Sequence, residues 1–236
     1  MEKPKKIDAI IFDCDGVLID SEALLERVDL AFLKQLGIPF TRDEYHEHFT
    51  GSTYAQNIKV IEDRHLAVHG TPVSQTVADD LSRARTEVLE KELTAINGAT
   101  EMLGVLTLKK AVASNTTQNS WLRKKVTQVG LDHHFGDHIY AAENVENGKP
   151  APDLYLFAAK QLGVPPENCV AIEDSPRGVQ AAVAAGMYTV GFSGSSHLDH
   201  STHEKKLLDA GARQVFADMT EFQRFIESLT ADRAVG

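Results

Sequence analysis

Short runs of apolar residues recur along the chain and are separated by segments of mixed polarity. Most of these runs are continuous instead of alternating, as in strands that are buried on both faces of a parallel sheet. We therefore predict six strands. They are Ala9–Phe12, Ala111–Ala113, His138–Ala141, Cys169–Ile172, Tyr188–Phe192 and Gln214–Ala217.

Helical patterns separate the later strands. Apolar residues fall at helical spacing in three segments that stop at Gly130, Gly163 and Gly186, and a glycine just past a helix is a common stop signal. Ser175-Pro176 predicts an N-cap followed by proline at the first helical position. This alternation of strand and helix predicts an α/β fold with right-handed crossovers.

Residues 21–92 interrupt the alternation, because they contain helical patterns and no convincing strand. The sheet is expected to resume after Asn97-Gly98. We therefore predict an inserted all-helical domain over 21–92 and a discontinuous core domain over 1–20 and 93–236. The first inserted helix is expected to bury an apolar face formed by Leu24, Val28, Ala31, Phe32 and Leu36.

Composition narrows the function classes. The 236 residues include 24 basic and 34 acidic side chains, a net charge of −10, which argues against general binding of nucleic acid or of anionic membrane surfaces. No apolar stretch approaches the ~20 residues that span a bilayer. The two cysteines, Cys14 and Cys169, form no disulfide scaffold. We expect a soluble, cytoplasmic protein.

The strongest chemical signal is Asp13-Cys14-Asp15-Gly16, directly after the first strand. Open α/β sheets place their sites at the carboxyl ends of strands. Two acids at i and i+2, around a turn that Gly16 starts, can point into one crevice, where a hard cation such as Mg²⁺ would neutralise them. The alternative interpretation is a solvated Asp-Gly turn.

Polar residues also follow three other predicted strands. Ser114-Asn115 follows the second strand, where we expect the hydroxyl to lie at a helix N-terminus that favours an anion. Lys149 is a compact charge suited to phosphate, and Glu173-Asp174 is a second acidic pair. Each has a structural alternative, namely an N-cap, a surface lysine or an Asx turn. Their placement at successive strand ends favours one shared site.

The segments DCDGVLIDSE, ASNTTQ, GKPAPD and IEDSPRGVQAAVAAGM together resemble the ordered motifs of the haloacid dehalogenase-like (HAD) hydrolase superfamily. The key residues are spaced by 101 (13 to 114), 35 (114 to 149) and 25 (149 to 174) positions. The chain is most similar to the subgroup that includes β-phosphoglucomutase, phosphoglycolate phosphatase and 6-phosphogluconate phosphatase. The resemblance implies a Rossmann-like core with an inserted helical cap.

The resemblance also implies a mechanism. Asp13 would attack phosphorus and form an aspartyl-phosphate. Asp15 would protonate the leaving oxygen and then deprotonate the hydrolytic water. Mg²⁺ would be held by Asp13, the backbone carbonyl of Asp15 and Asp174, with Glu173 helping directly or through water. The residues implied to bind the phosphoryl oxygens are Ser114, Asn115 and Lys149.

The cap is expected to set specificity. Candidate substrate contacts are Glu22, at the entry to the cap, and a loop that includes Thr50, Gly51 and Ser52; the alternative for both is ordinary surface packing. The repeat of His197, His200 and His203 favours the start of a surface helix, or a loop, over a zinc site.

These observations predict a Mg²⁺-dependent phosphatase acting on a small phosphorylated metabolite, either a sugar phosphate or a phosphorylated sugar acid, as a monomer or weak homo-oligomer. A β-phosphoglucomutase-like phosphomutase is the alternative enzyme. It is weakened because Leu25 stands where that mutase has a histidine, and because the 50–54 loop lacks its arginine. A non-catalytic sensor of a phosphorylated ligand is disfavoured because Asp13 and Asp15 are both present.

Overall fold

The protein was analysed as a computed structural model, which describes residues 6–49, 54–195 and 200–231. The chain divides into two compact units, with crossings after Asp20 and after Leu93. The first unit contains both ends of the chain, and the second contains residues 21–93. That these units correspond to a core domain and a cap domain stays a prediction.

The first unit contains a six-stranded parallel sheet within the described residues. Its strands are β1 (Ala9–Phe12), β2 (Lys109–Ser114), β3 (Ile139–Ala141), β4 (Cys169–Glu173), β5 (Tyr188–Phe192) and β6 (Val215–Phe216). The spatial order is β3-β2-β1-β4-β5-β6. All six predicted strands are confirmed, and the α/β fold with them. β2 begins two residues earlier than predicted, because Lys109 and Lys110 pair with β1 although they are polar.

The helices are α1 (Glu22–Gln35), α2 (Arg42–Phe49), α3 (Tyr54–His69), α4 (Val77–Glu92), α5 (Ala99–Val105), α6 (Asn119–Gln128), α7 (Asp153–Leu162), α8 (Pro176–Ala184), α9 (His200–Asp209) and α10 (Met219–Ala231). The predicted ends near Gly130, Gly163 and Gly186 are confirmed, since α6, α7 and α8 stop within two residues of them. Ser175 caps α8 as predicted, accepting a hydrogen bond from the backbone N–H of Gly178 at 3.1 Å. None of the described helices is both long and apolar enough to cross a membrane.

Two layers of helices cover the sheet. On one face, small residues of β1, β2 and β4 pack against the buried sides of α7 and α8. On the other face, the Phe12 ring lies edge-on to Phe135 and Phe222, with ring centroids 5.9 and 6.2 Å apart. Burial on both faces explains why the strands are continuous apolar runs. It also leaves the strand ends as the places where polar residues can gather.

The sheet resumes after Asn97-Gly98 as predicted, but a helix that was not predicted, α5, stands between that turn and β2. Met102 and Leu103 of α5 are buried, and α5 packs against α10. At seven residues, the helix is too short to show a clear helical period in the sequence.

The helix α1 is confirmed, and Phe32 and Leu36 of its predicted apolar face are partly buried against the apolar core of the second unit, but the most deeply buried residues were not those predicted. The buried residues of α1 are Glu26, Asp29 and Leu33, and Ala31 is exposed. Burial of the two acids is possible because each has a cationic partner: Arg42 pairs with Glu26 and Arg85 with Asp29. A search for apolar periodicity cannot detect a helix face that is buried through ion pairs.

The second unit has its own core. Asp29 is buried in this unit and accepts hydrogen bonds from the Nε of Arg85 at 2.7 Å and from the Tyr45 hydroxyl at 2.8 Å. Burial and the neighbouring Asp29 carboxylate raise the pKa of Tyr45 well above its usual value. Tyr45 also belongs to the apolar cluster of this unit, whose other buried members are Leu33, Ile38, Phe49, Ile61, Val77 and Leu81.

Candidate active site

Strand register brings the candidate residues to one edge of the sheet. Phe12, the last residue of β1, is aligned with Val112 of β2 on one side and with Ile172 of β4 on the other. The three strands therefore end within two residues of one another, and Asp13 follows β1 between its two neighbours. This is the point in an open parallel sheet where ligands bind.

A tight turn at Gly16 follows the first acidic pair, Asp13 and Asp15. Gly16 has a φ of +80°, in the left-handed region that favours glycine, and its N–H donates to the carbonyl of Ile19 at 2.8 Å. A Cβ at Gly16 would lie 1.9 Å from Oδ2 of Asp174. Glycine is therefore needed here for conformation and for space, since the turn packs directly against the second acidic pair.

Lys149 links the ends of β1, β2 and β4. Its Nζ donates to Oδ1 of Asp13 at 2.5 Å, to Oε1 of Glu173 at 2.5 Å and to the carbonyl of Ala113 at 2.7 Å. The lysine is only 5% exposed. Burial disfavours its charged form, but the two carboxylates outweigh that cost and raise the pKa of Lys149 above its usual value. The ammonium therefore stays charged in the centre of the site.

Glu173 is fully buried beside this lysine. Besides Lys149, it accepts hydrogen bonds from the Tyr155 hydroxyl at 2.7 Å and from the N–H and hydroxyl of Ser175 at 3.3 and 3.1 Å. The Tyr155 ring centroid also lies 5.0 Å from Nζ of Lys149. Sequence reasoning missed Tyr155, because its helical spacing indicates only a core position. The hydroxyl contact depends on how α7 packs on the sheet.

A carboxylate cluster forms a possible metal site. One oxygen each from Asp13, Glu173 and Asp174 lies within 4.8 Å of the others. Burial raises the pKa of Asp13 to about 7; the nearby Glu173 and Asp15 carboxylates act in the same direction, and Lys149 opposes them. Hard cations such as Mg²⁺ prefer oxygen ligands of this kind, so the donor set fits the predicted metal.

The Asp15 carboxylate is paired with the ammonium of a second lysine, Lys125. Both of its carboxylate oxygens accept hydrogen bonds from Nζ of Lys125, at 2.7 and 2.6 Å. Lys125 comes from α6 and is 5% exposed. Nothing in the sequence near Lys125 distinguishes it from a surface lysine, and sequence reasoning missed it.

The placement of Ser114 differs from the prediction. Its hydroxyl was expected at a helix N-terminus, but α6 begins only at Asn119. Instead, Ser114 is buried, and its hydroxyl donates to Oγ1 of Thr116 at 3.0 Å. Four residues without regular structure separate Ser114 from α6, so its hydroxyl is not in the first turn of that helix.

Asn115 orients Lys149. Its Nδ2 donates to the carbonyl of Lys149 at 3.0 Å, and its Oδ1 accepts from the N–H of Lys149 at 2.8 Å. The amide therefore pairs with the lysine backbone on both sides. The predicted contacts of Ser114 and Asn115 with phosphate stay predictions.

Two residues that follow β5 in the chain donate hydrogen bonds to the backbone of the turns that contain the acidic pairs. The Ser195 hydroxyl, which is buried, donates to the carbonyl of Gly16 at 2.6 Å. His203, in the first turn of α9, donates through Nε2 to the carbonyl of Asp174. The histidine repeat does mark a helix start, as predicted, since α9 begins at His200. The contact with Asp174 had no sequence signal.

Of the remaining predicted residues, the structure describes Cys14 and Glu22. Cys14 is buried, and burial together with the Asp15 charge raises the pKa of its thiol well above the usual value, so it is no thiolate nucleophile. Glu22 begins α1 and is partly buried. The predicted cap contacts Thr50, Gly51 and Ser52, and also His197, lie outside the described residues.

Gly178 in α8 underlies Glu173, and we predict that it tolerates no side chain. A Cβ there would lie 1.9 Å from the carboxylate carbon of Glu173. Gly178→Ala should therefore destabilise the protein by about 1–3 kcal/mol, since an overpacked buried site must shift. Chemical denaturation would measure this.

Gly104→Ala is the matched control for this prediction. Gly104 is also helical but has open space where its Cβ would be, and alanine there should stabilise by roughly 0.5–1 kcal/mol. Equal stability changes in the two variants would contradict the packing argument.

Comparisons with known proteins agree with this geometry. Residues 7–186 match the family model of the haloacid dehalogenase-like hydrolases. The chain is 30% identical to the 6-phosphogluconate phosphatase of Escherichia coli, with 85% of this chain and 89% of that protein covered. It is 31% identical to the phosphorylated carbohydrates phosphatase of Thermotoga maritima, covering 87% and 92%.

A solved structure is similar over the same extent. This is a HAD family hydrolase from Deinococcus radiodurans with bound phosphate and sodium. It is 32% identical, covers 96% of this chain and 97% of its own, and superposes with a TM-score of 0.83. The similarity therefore extends over both units of the fold.

Proposed function

Because the chain belongs to the haloacid dehalogenase-like hydrolases, we propose that it is a Mg²⁺-dependent phosphatase that hydrolyses small phosphorylated carbohydrates. One observation carries the proposal: the Lys149 ammonium lies between Asp13 and Glu173 at the carboxyl edge of the sheet. A buried cation among carboxylates provides positive charge for a phosphoryl group next to a nucleophilic oxygen. Asp15, two positions on, supplies a second carboxyl group for proton transfer.

The reaction takes place in two displacements. In the first, a carboxylate oxygen of Asp13 bonds to phosphorus while the ester P–O bond breaks, and the leaving oxygen takes a proton from Asp15. In the second, water bonds to phosphorus and gives a proton to Asp15, while the bond between phosphorus and the Asp13 oxygen breaks. Inorganic phosphate leaves, and both aspartates return to their starting states.

The residues that would hold Mg²⁺ are Asp13, Asp174 and the backbone carbonyl of Asp15, with Glu173 directly or through water. When bound, the ion supplies positive charge that offsets the repulsion between carboxylates and phosphate. Lys149, held by Asn115, binds and orients the phosphoryl oxygens through its ammonium. We propose that Ser114 and Asn115 add neutral donors to these oxygens.

The substrate class rests on the relatives. Two of them are named for 6-phosphogluconate and for phosphorylated carbohydrates, so a sugar phosphate or phosphorylated sugar acid is proposed here. The second unit, residues 21–93, is proposed to act as the cap that selects among such substrates. Glu22 and the loop with Thr50, Gly51 and Ser52 are the proposed contacts.

A substrate panel tests this function. Purified protein with Mg²⁺ is incubated with hexose phosphates, sugar-acid phosphates, nucleotides and phosphoamino acids, and both inorganic phosphate and the organic product are measured. We expect phosphate release that is fastest with phosphorylated carbohydrates. Isomerised sugar phosphate without free phosphate would identify a phosphomutase instead. No turnover of any compound would favour a phospho-ligand sensor.

Chelation tests the metal requirement. Treatment with EDTA should reduce the phosphatase activity to background, because the carboxylates of Asp13, Glu173 and Asp174 then face phosphate without a divalent cation. Adding Mg²⁺ in excess of the chelator should restore it, and Ca²⁺, which favours larger and more flexible coordination, should restore less. Full activity in EDTA would contradict the metal assignment.

A further inference from the structure

We propose that Lys125 is a positioning residue that holds the Asp15 carboxyl group in place for both of its proton transfers. This inference rests on the proposed function, since it assumes that Asp15 is the acid and base of a phosphatase. The evidence is the contact of one ammonium with both carboxylate oxygens, at 2.7 and 2.6 Å. Two contacts on one carboxylate restrict its rotation, whereas a single contact would leave it free to turn.

The burial of Lys125 indicates that the charge is there for a reason. Within α6, Lys125 lies on the buried side together with Leu122 and Val126. A leucine or methionine at this position would pack on the same face without the cost of burying a charge. We therefore attribute the lysine at this position to the contact that its ammonium makes with the Asp15 carboxylate.

Lys125 and Lys149 have separate tasks. Lys149 contacts Asp13 and Glu173, whereas Lys125 contacts Asp15. The Asp15 side chain is 26% exposed, compared with 11% for Asp13. The more exposed carboxylate has more room to rotate, so it benefits more from a fixed partner.

Lys125 also connects Asp15 to the end of β2. Its Nζ lies 3.5 Å from Oγ1 of Thr116, which in turn accepts a hydrogen bond from the Ser114 hydroxyl at 3.0 Å. One ammonium therefore joins the turn after β1 and the turn after β2. Movement of α6 would shift the carboxylate relative to the phosphoryl site.

The effect of a misplaced Asp15 depends on the leaving group of the substrate. A sugar alkoxide needs a proton to leave, so both displacements slow when Asp15 is misplaced. A p-nitrophenolate leaves without a proton, so only the hydrolysis of the aspartyl-phosphate slows. With p-nitrophenyl phosphate, the second displacement then limits turnover and the phosphoenzyme accumulates.

The test compares Lys125→Met with Lys125→Arg in the full-length protein with Mg²⁺. Steady-state and rapid-quench rates are measured with p-nitrophenyl phosphate and with the best sugar phosphate from the panel. We expect Lys125→Met to reduce kcat for the sugar phosphate by roughly 10- to 100-fold, with KM changed much less. With p-nitrophenyl phosphate we expect a burst of nitrophenolate, and Lys125→Arg should recover part of the lost kcat.

Lys124→Met is the matched control, because Lys124 is the neighbouring lysine on the exposed side of α6 and its ammonium lies over the Trp121 ring. It should behave like the unmodified protein. When Lys125→Met is added to an Asp15→Asn variant, kcat should fall little further, because the carboxyl group that Lys125 positions is already absent.

The outcomes separate this inference from the proposed function. Unchanged kinetics in Lys125→Met, or an equal loss on both substrates without a burst, would overturn the positioning role while leaving the phosphatase intact. Absence of phosphatase activity in the unmodified protein would instead overturn the proposed function.

Discussion

Asp13→Asn is expected to lower the turnover number by roughly 10⁴-fold or more, because it removes the nucleophile on which both displacements depend. An amide oxygen is a poor nucleophile, and the amide also weakens the carboxylate cluster with Glu173 and Asp174. The fold should survive, since the asparagine is nearly isosteric and its carbonyl can still accept a hydrogen bond from Lys149. Phosphate release from the best substrate measures the loss, and acid-quenched, labelled protein should show no covalent phosphate.

The matched control is Asp137→Asn, which changes an exposed aspartate before β3. It should leave kcat and the unfolding midpoint unchanged. If Asp13→Asn instead kept near-normal turnover, Asp13 could not be the nucleophile, and the whole assignment of the site would fail.

Lys149→Met should have the second-largest effect, because it acts on stability and on chemistry together. It leaves Asp13 and Glu173 as two buried carboxylates without their shared ammonium. Removing one partner of a buried ion pair costs about 3–5 kcal/mol of folding free energy. Activity should fall by at least roughly 10²–10³-fold, the cost of losing one charge-stabilising donor.

The loss of the Lys149 positive charge has a specific effect on the Asp13 carboxyl group, which a nonspecific loss of stability would not have. Without the ammonium, the group that opposes the raised pKa of Asp13 is lost, so less of the nucleophile is ionised at neutral pH. Denaturant titration and steady-state kinetics should therefore both change. Lys160→Met, an exposed lysine in the last turn of α7, should change neither. A Lys149→Met variant with normal stability would show that the lysine is not the electrostatic centre of the site.

Sequence alone was sufficient for the parts of the fold that depend on local pattern. All six strands were predictable because a strand buried on both faces must be apolar throughout, and this is visible without knowing its neighbours. The end of α6 before Gly130 and the Ser175 cap of α8 were predictable because turns and caps have strong local preferences. The candidate acids were found because Asp13 and Glu173 directly follow or end apolar strands.

Sequence was not sufficient where partners come from distant elements. Lys125 and Asp15 are 110 positions apart, and Tyr155 meets Glu173 from another element. The burial of Glu26 and Asp29 in α1 was not predicted for the same reason, because these acids are acceptable inside only through their distant cationic partners. Local periodicity cannot reveal compensation of this kind.

The sequence by itself thus determined the six strands, the α/β class and the residue types available at the strand ends, because these follow from local hydrophobicity and backbone preference. Only the tertiary structure decided how those residues are paired. The parallel order that places β1 between β2 and β4 brings Asp13 between two strand ends and within reach of Lys149, while the packing of α6 delivers Lys125 to Asp15. Charge interactions act through space over a few ångströms, so the same residues acquire their chemical roles only when the fold sets those distances.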